Sequence, residues 1–194
     1  MAANNEVGTI YPIAAIAQRH NVPFLCDASQ AVGKIPIQFN PWGITLLALS
    51  AHKLYGPQGV GALVVRRGHR LAPLLHGGGQ QQGLRPGTLN LPGIVGLGEA
   101  CRLRHLEMAT DEPQIAQRRD YLQSLLQSHI PNLVINGDQH NRLAGNLHIA
   151  IPGIPNSALR LSLGKFCSDN DLHPTATLLH QAVQAIHSLT TGVP

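Results

Sequence analysis

No stretch of this 194-residue chain approaches the run of apolar residues, about 20 long, that spans a bilayer. Its start, Met1-Ala2-Ala3-Asn4-Asn5-Glu6, has no basic region leading into an apolar one, so neither a membrane span nor a signal peptide is expected. Paired cysteines are lacking too. Cys26, Cys101 and Cys167 are odd in number and widely spaced, which argues against a disulfide framework and against a Cys-x-x-Cys metal site. A reduced, cytoplasmic protein is the expectation. The formal net charge is only +4, and the densest basic cluster is Arg66-Arg67 with Arg70 nearby, too little for a nucleic-acid-binding face. His140, His148, His180 and His187 stand at no metal-ligand spacing with carboxylates or cysteines and read as surface or core residues. Internal repeats and low-complexity segments are also missing.

What is there is a globular composition, 43% hydrophobic and 12% charged, enough for one generous domain or two small ones. Over the first hundred residues short apolar runs alternate with helical patterns, as in an α/β layout. Pro12 opens a helix to about His20. Pro23-Phe24-Leu25-Cys26 reads as a buried strand ending at Asp27, Leu46 to Leu49 as a second ending at Ser50, and Ala62 to Val65 as a third. One helix is expected from Pro92 to about Met108 and another from Gln114 to His129, with Asp111 and Glu112 as charges complementing the second helix's dipole. Beyond it come strand-like runs at Leu133 to Ile135, Asn146 to Ile151 and Ala158 to Leu163. A final helix is announced by Ser168 and Asp171 in capping-box spacing, with Leu172, Leu178, Leu179, Val183 and Ile186 for its buried face. The layout is therefore an α/β unit over 1–108 followed by a small α+β unit over 109–194.

The stretch Ser50-Ala51-His52-Lys53-Leu54-Tyr55-Gly56-Pro57-Gln58-Gly59-Val60-Gly61 carries most of the chemical information. A lysine just past a buried strand, before a glycine-rich turn, can place its amine in a sheltered cleft, where burial favours the neutral amine that condenses with an aldehyde. Ser50 and His52 offer a hydroxyl and an imidazole to an anion such as a phosphate. Asp27, at the end of the neighbouring strand, can pair with a protonated pyridine nitrogen. Gly77-Gly78-Gly79 lacks the spacing and lysine of a nucleotide loop and reads as a turn. Trp42, after Pro41, reads as a packing residue.

Four blocks occur in order: Asn4-Asn5-Glu6-Val7-Gly8-Thr9, Asp27-Ala28-Ser29-Gln30-Ala31-Val32-Gly33-Lys34, Ser50-Ala51-His52-Lys53 and Gly77-Gly78-Gly79-Gln80. Together they resemble the signature blocks of the cysteine desulfurases, in the class V aminotransferase family of fold-type I pyridoxal-phosphate enzymes. The resemblance continues through Arg85-Pro86-Gly87-Thr88-Leu89-Asn90 and resumes over Ala158 to Gly164. It implies part of a fold-type I large domain followed by a small α+β C-terminal domain, with pyridoxal 5'-phosphate as cofactor. By motif, Lys53 matches the Schiff-base lysine and Asp27 the partner of the pyridine nitrogen. Gln30 and Asn5 match contacts of the ring's phenolic oxygen, and Ser50 and His52 match phosphate ligands. Thr88 matches a residue that, in a homodimer, reaches the phosphate held by the other subunit. Arg160 matches the arginine that pairs with the substrate carboxylate, for which a guanidinium fork is suited. Pro86 departs from the family, which usually has a small residue there.

The resemblance also implies what a complete relative has besides. Ahead of the Asn-Asn-Glu block it carries further helices and strands of the large domain, a glycine-threonine phosphate turn and a histidine that stacks on the cofactor. After Asn146 to Pro155 it carries a loop with a nucleophilic cysteine, whereas here Asn156-Ser157 passes almost directly to Leu159-Arg160. Cys26 and Cys101 read as core residues. Cys167, at a helix start, has a place where a thiolate is favoured, but its surroundings match the segment after the carboxylate arginine. The implied reaction converts L-cysteine to L-alanine and passes sulfur to the enzyme's cysteine, then to an acceptor or scaffold protein in sulfur metabolism such as iron–sulfur cluster assembly. A chain with these gaps is expected to be impaired in that cycle. Two alternatives stand beside it: a non-catalytic remnant that pairs with a desulfurase or a separate N-terminal half, and a pyridoxal-phosphate C–S lyase that needs no cysteine.

Overall fold

The computed structural model describes residues 2–154 and 158–191, and the junction at Asn156-Ser157, where a cysteine loop would stand, lies outside the described residues. The chain divides into two compact units. The first holds residues 1–2 and 12–106, and the second holds 3–11 and 107–194. Among the described residues no helix is long and apolar enough to cross a membrane.

In the first unit, helix α1 (Ile13–Arg19) is followed by strands β1 (Leu25–Asp27), β2 (Leu46–Ser50) and β3 (Gly61–Val65). These form one sheet in the order β1-β2-β3, with β1 parallel to β2 and β3 antiparallel to it. Strand alternation places Cys26 and its register partner Leu47 on one face, where both are buried among Ala17, Phe24, Ala28, Ala31 and Ile44. Trp42 packs against this core, in agreement with its reading as a packing residue. Leu25 and Leu63 point to the other face and are 59% and 50% exposed. A short 3-10 helix, Ala51–Leu54, follows β2 and ends where Tyr55 turns left-handed at φ 65°. Ala51 and Leu54 pack with Leu97 and Ala100, so the turn that carries Lys53 is fastened by its first and last residues.

Helix α2 runs without a break from Leu91 to His129. Two helices are expected over this stretch from the sequence, with Asp111 and Glu112 ahead of the second, and the structure corrects that reading. A proline within a helix removes the bond to the carbonyl four residues back. Here Pro113 and Ala109 are both exposed, so water can take up the released carbonyl. Asp111 and Glu112 are consequently interior residues of α2, and nothing of their charge meets a helix N-terminus.

The second unit has the antiparallel sheet β4 (Val134–Ile135), β5 (Asn146–Ala150) and β6 (Leu159–Ser162), and helix α3 (Leu172–Thr191). Leu147 and Ile149 alternate into a core with Leu122, Leu126, Leu172, Ala176 and Val183, the last three at helical spacing on one side of α3. Ser168 donates its backbone N–H and its hydroxyl to Asp171 Oδ2 at 2.7 and 2.9 Å, the local closure that its capping-box spacing implies. Leu178 and Ile186, expected on the buried side of α3, are exposed instead.

Candidate functional site

Parallel pairing of β1 and β2 brings their carboxyl ends to the same edge of the first sheet. Asp27 closes β1 opposite Ala48, and Ser50, His52 and Lys53 leave β2 two to five residues further on. This is the place where open α/β sheets bind ligands. A carboxylate, a hydroxyl, an imidazole and an amine are thus gathered at one end of the sheet by topology alone.

Asp27 is held in its charged form. The Ser29 backbone N–H donates to its Oδ1 at 3.0 Å. That bond, helped by the Ser29 hydroxyl, keeps the carboxyl below the usual carboxylate range in spite of partial burial. Gln30, on the same turn, accepts from Lys34 Nζ at 3.2 Å. The sequence holds three lysines, Lys34, Lys53 and Lys165. Lys34 is engaged by Gln30, and Lys165 pairs with Glu107 at 2.7 Å. Lys53, by contrast, has no hydrogen bond or ion pair among the described residues, and its side chain is exposed. The sheltered cleft expected from the sequence is not formed around Lys53 by these residues. Only the turn beneath it is buried, through Ala51 and Leu54.

That turn has a support the sequence does not disclose. Arg104, on α2, is 2% exposed, donates from Nε to the Gly33 carbonyl at 2.9 Å, and lies over the Tyr55 ring at 5.3 Å from its centroid. Gly33 has φ 75°, and a Cβ there would sit 3.1 Å from Arg104 and 3.3 Å from Leu54. Only glycine suits such a conformation at so close an approach. Arg104 therefore ties the turn after Asp27 to the turn that carries Lys53. Its helical position, among apolar residues, reads in sequence as an ordinary surface arginine.

Thr88 lies on the exposed loop between the 3-10 helix Gln80–Gly83 and α2. The departure at Pro86 has a partner here, since a Cβ on Gly77 would come within 2.9 Å of the proline ring. Gly77 and Gly78 lie at bends ahead of that 3-10 helix.

Asn5 and Arg160 belong to the second unit, and there the structure brings them together. Asn4 Oδ1 accepts from the backbone N–H groups of Glu6 and Val7 at 2.8 and 3.0 Å, forming a tight turn. Asn146 Nδ2 donates to the Glu6 carbonyl at 3.0 Å and pins the turn to β5. Gly8 follows at φ 75°, its missing Cβ within 2.7 Å of the Asn146 side chain. Arg160, on β6, donates from Nη1 to the Asn5 carbonyl at 3.0 Å and to Glu6 Oε1 at 2.9 Å. Glu6 stands inside a motif quoted above, yet no role follows for it from sequence.

The three thiols offer no sheltered nucleophile. Burial pushes the Cys26 and Cys101 thiols up, the direction that suppresses the reactive thiolate. Cys167 Sγ accepts from the Gly164 N–H at 3.4 Å. No group of three or more His, Cys, Asp or Glu is placed to hold a metal among the described residues.

A family model described as aminotransferase class-V matches residues 1–166. The mitochondrial cysteine desulfurase of Arabidopsis thaliana is 42% identical over 190 residues, covering 92% of this chain and 42% of that protein. The cysteine desulfurase IscS of Dictyoglomus turgidum is 39% identical, covering 92% of this chain and 48% of that protein. The chain spans about half the length of the curated relatives it matches. Among solved structures, the NifS-like protein of Rickettsia africae superposes with a TM-score of 0.90 at 25% identity, covering 94% of this chain and 60% of that one. Another NifS-like protein superposes with a TM-score of 0.89 at 29% identity, covering 95% and 60%. The fold is thus that of fold-type I proteins, and aminotransferases of class V and cysteine desulfurases are pyridoxal-phosphate-dependent.

Proposed function

This chain belongs to the aminotransferase class-V family, and we propose that it is a cysteine desulfurase-like protein that holds pyridoxal phosphate at Lys53. The observation that carries the reading is the Lys53 amine, without a partner among the described residues, at the same sheet end as the ionised Asp27. The donor set fits the cofactor: an amine for its aldehyde, a carboxylate for its pyridine nitrogen, and the Ser50 hydroxyl and His52 imidazole for its phosphate. When bound, the cofactor supplies an electron sink for the α-carbon of an amino acid. Asp27 keeps a proton on the ring nitrogen, because a carboxylate held below its ordinary range stays charged at neutral pH. Lys53 would hold the cofactor through its amine, and the same amine would be the group to move a proton at the α-carbon. Gln30 and Asn5 donate to the ring oxygen. Arg160 holds the carboxylate of L-cysteine, and Thr88 reaches the phosphate held by a second, related chain.

The overall reaction in this reading is L-cysteine plus a thiol giving L-alanine plus a persulfide, with the carbon–sulfur bond broken and a sulfur–sulfur bond formed. In this reading the thiol is not Cys26 or Cys101, which burial suppresses, nor Cys167, whose segment matches the one after the carboxylate arginine. A second polypeptide or chain segment therefore completes the site and supplies the acceptor. The exposed Leu25 and Leu63 on one sheet face favour such pairing, since monomers rarely leave apolar faces open. Delivery of the sulfur to an acceptor or scaffold protein follows from the same reading, with the cytoplasm as the compartment.

The test is complementation. The chain is co-produced with the portion of the Arabidopsis relative that it does not match, supplied with pyridoxal phosphate, and assayed for alanine from L-cysteine. Alanine is expected from the complemented pair and not from a pair carrying Lys53→Ala. Equal alanine from both pairs, or none from a pair that has taken up the cofactor, contradicts the reading.

A further inference from the structure

The Asn4–Gly8 turn fixes the backbone of Glu6 and leaves its carboxylate at the surface. The backbone is tied at both ends, by Asn4 Oδ1 to the Glu6 N–H at 2.8 Å and by Asn146 Nδ2 to the Glu6 carbonyl at 3.0 Å. The side chain is 57% exposed, and that of Arg160 is 39% exposed. Among the described residues the Glu6 carboxylate has two partners, both through Oε1: Arg160 Nη1 at 2.9 Å and Asn5 Nδ2 at 3.0 Å. Arg160 in turn makes both of its contacts through Nη1. Its Nη2 and Nε, one edge of the guanidinium fork, meet no partner among the described residues.

We infer that Glu6 is an internal carboxylate that occupies Arg160 until the carboxylate of an α-amino acid displaces it, so that Glu6 sets the affinity of the site for its substrate class. The inference rests on the reading of Arg160 as the carboxylate-binding residue. A guanidinium carries one positive charge, and here Glu6 already balances it. An incoming carboxylate meets a neutral pair and is repelled by Glu6 whichever edge of the fork it takes. An ion pair this exposed is a weak one, so displacement is easily driven by a ligand. The pinned backbone and open side chain suit this exchange, since the carboxylate can swing into water without unfolding the turn. Displacement also frees the Asn5 amide, whose Nδ2 now donates to Glu6. Occupation of Arg160 by an amino acid and availability of the Asn5 donor are therefore coupled through one carboxylate.

A purely supporting role for Glu6 predicts the opposite sign. If Glu6 merely held Arg160 in place, removing its charge would loosen the guanidinium and weaken carboxylate binding. The test follows the Arg160 Nε–Hε resonance in the full chain with 15N-labelled arginine side chains, assigned with Arg160→Lys, during titration with L-alanine. Glu6→Gln is expected to lower the half-saturating L-alanine concentration about two- to five-fold, the range of an exposed ion pair. L-alaninamide, which lacks the carboxylate, is expected to move the resonance equally little in both chains. Equal or weaker L-alanine binding in Glu6→Gln, with Arg160 still responding, overturns the role of Glu6 and leaves the reading of Arg160 standing. An Arg160 resonance that L-alanine moves in neither chain overturns the reading of Arg160, and the role of Glu6 with it.

Discussion

Asp27 is prepared for its task by Ser29, two residues on. The Ser29 N–H and hydroxyl lower its pKa, so its carboxylate form contributes stability that is fully present above the ordinary carboxylate range. That contribution is lost as the pH falls through the lower, folded-state value. Ser29→Ala removes the hydroxyl and leaves the backbone donor, so Asp27 is expected to titrate higher than in the parent chain but still below an ordinary aspartate. A carbon-13 titration of the Asp27 carboxyl measures this directly, and an unchanged midpoint would sink it. The strand end that places Asp27 was legible in the sequence, from the short apolar run Pro23 to Cys26 that precedes it. The pairing of Arg160 with Glu6 was not, since 154 residues separate them and an acidic residue in a turn is ordinarily solvated. The burial of Cys26 could be read from its strand, whereas the exposure of Lys53 could not, because a motif names a residue without saying what covers it.

Among the elements, the strands were the readable ones. Short apolar runs between Gly, Pro and polar turns placed β1 to β3 within a residue or two of their observed limits. The break expected between about Met108 and Gln114 is absent, and Pro113 is accommodated where the freed Ala109 carbonyl is open to water. Along α3 the periodicity correctly gave Leu172, Leu179 and Val183, but it could not decide that Leu178 and Ile186 lie outside the buried stripe. Arg104 was invisible for a different reason: its partner Gly33 is 71 residues away. Replacing it with methionine keeps much of the volume and removes the donor to the partly buried Gly33 carbonyl, a loss of about 1 kcal/mol. Urea unfolding of Arg104→Met is expected to show that loss, and stability equal to the parent would mean that Arg104 does not fasten the two turns.

At the scale of the whole molecule, the two units divide the candidate residues between them. Asp27, Gln30, Ser50, His52, Lys53 and Thr88 fall in the first, and Asn5 and Arg160 in the second. The order of the motifs along the chain identified these residues, but it could not disclose that residues 3–11 join the later unit, since that depends on the Thr9–Arg142 bridge and the bond from the Ile10 N–H to the Asn141 carbonyl. Leu25 and Leu63 leave one face of the first sheet exposed, and the chain spans about half the length of the relatives it matches. The anchoring of the cofactor is nonetheless a property assigned to this chain alone, and its few lysines make it measurable. The chain is incubated with pyridoxal phosphate, reduced with borohydride and digested, and the pyridoxyl group is mapped among Lys34, Lys53 and Lys165. Label concentrated on Lys53 is the predicted result, because Lys34 and Lys165 are engaged by Gln30 and Glu107. Label spread evenly over the three, or missing from Lys53, would contradict the account.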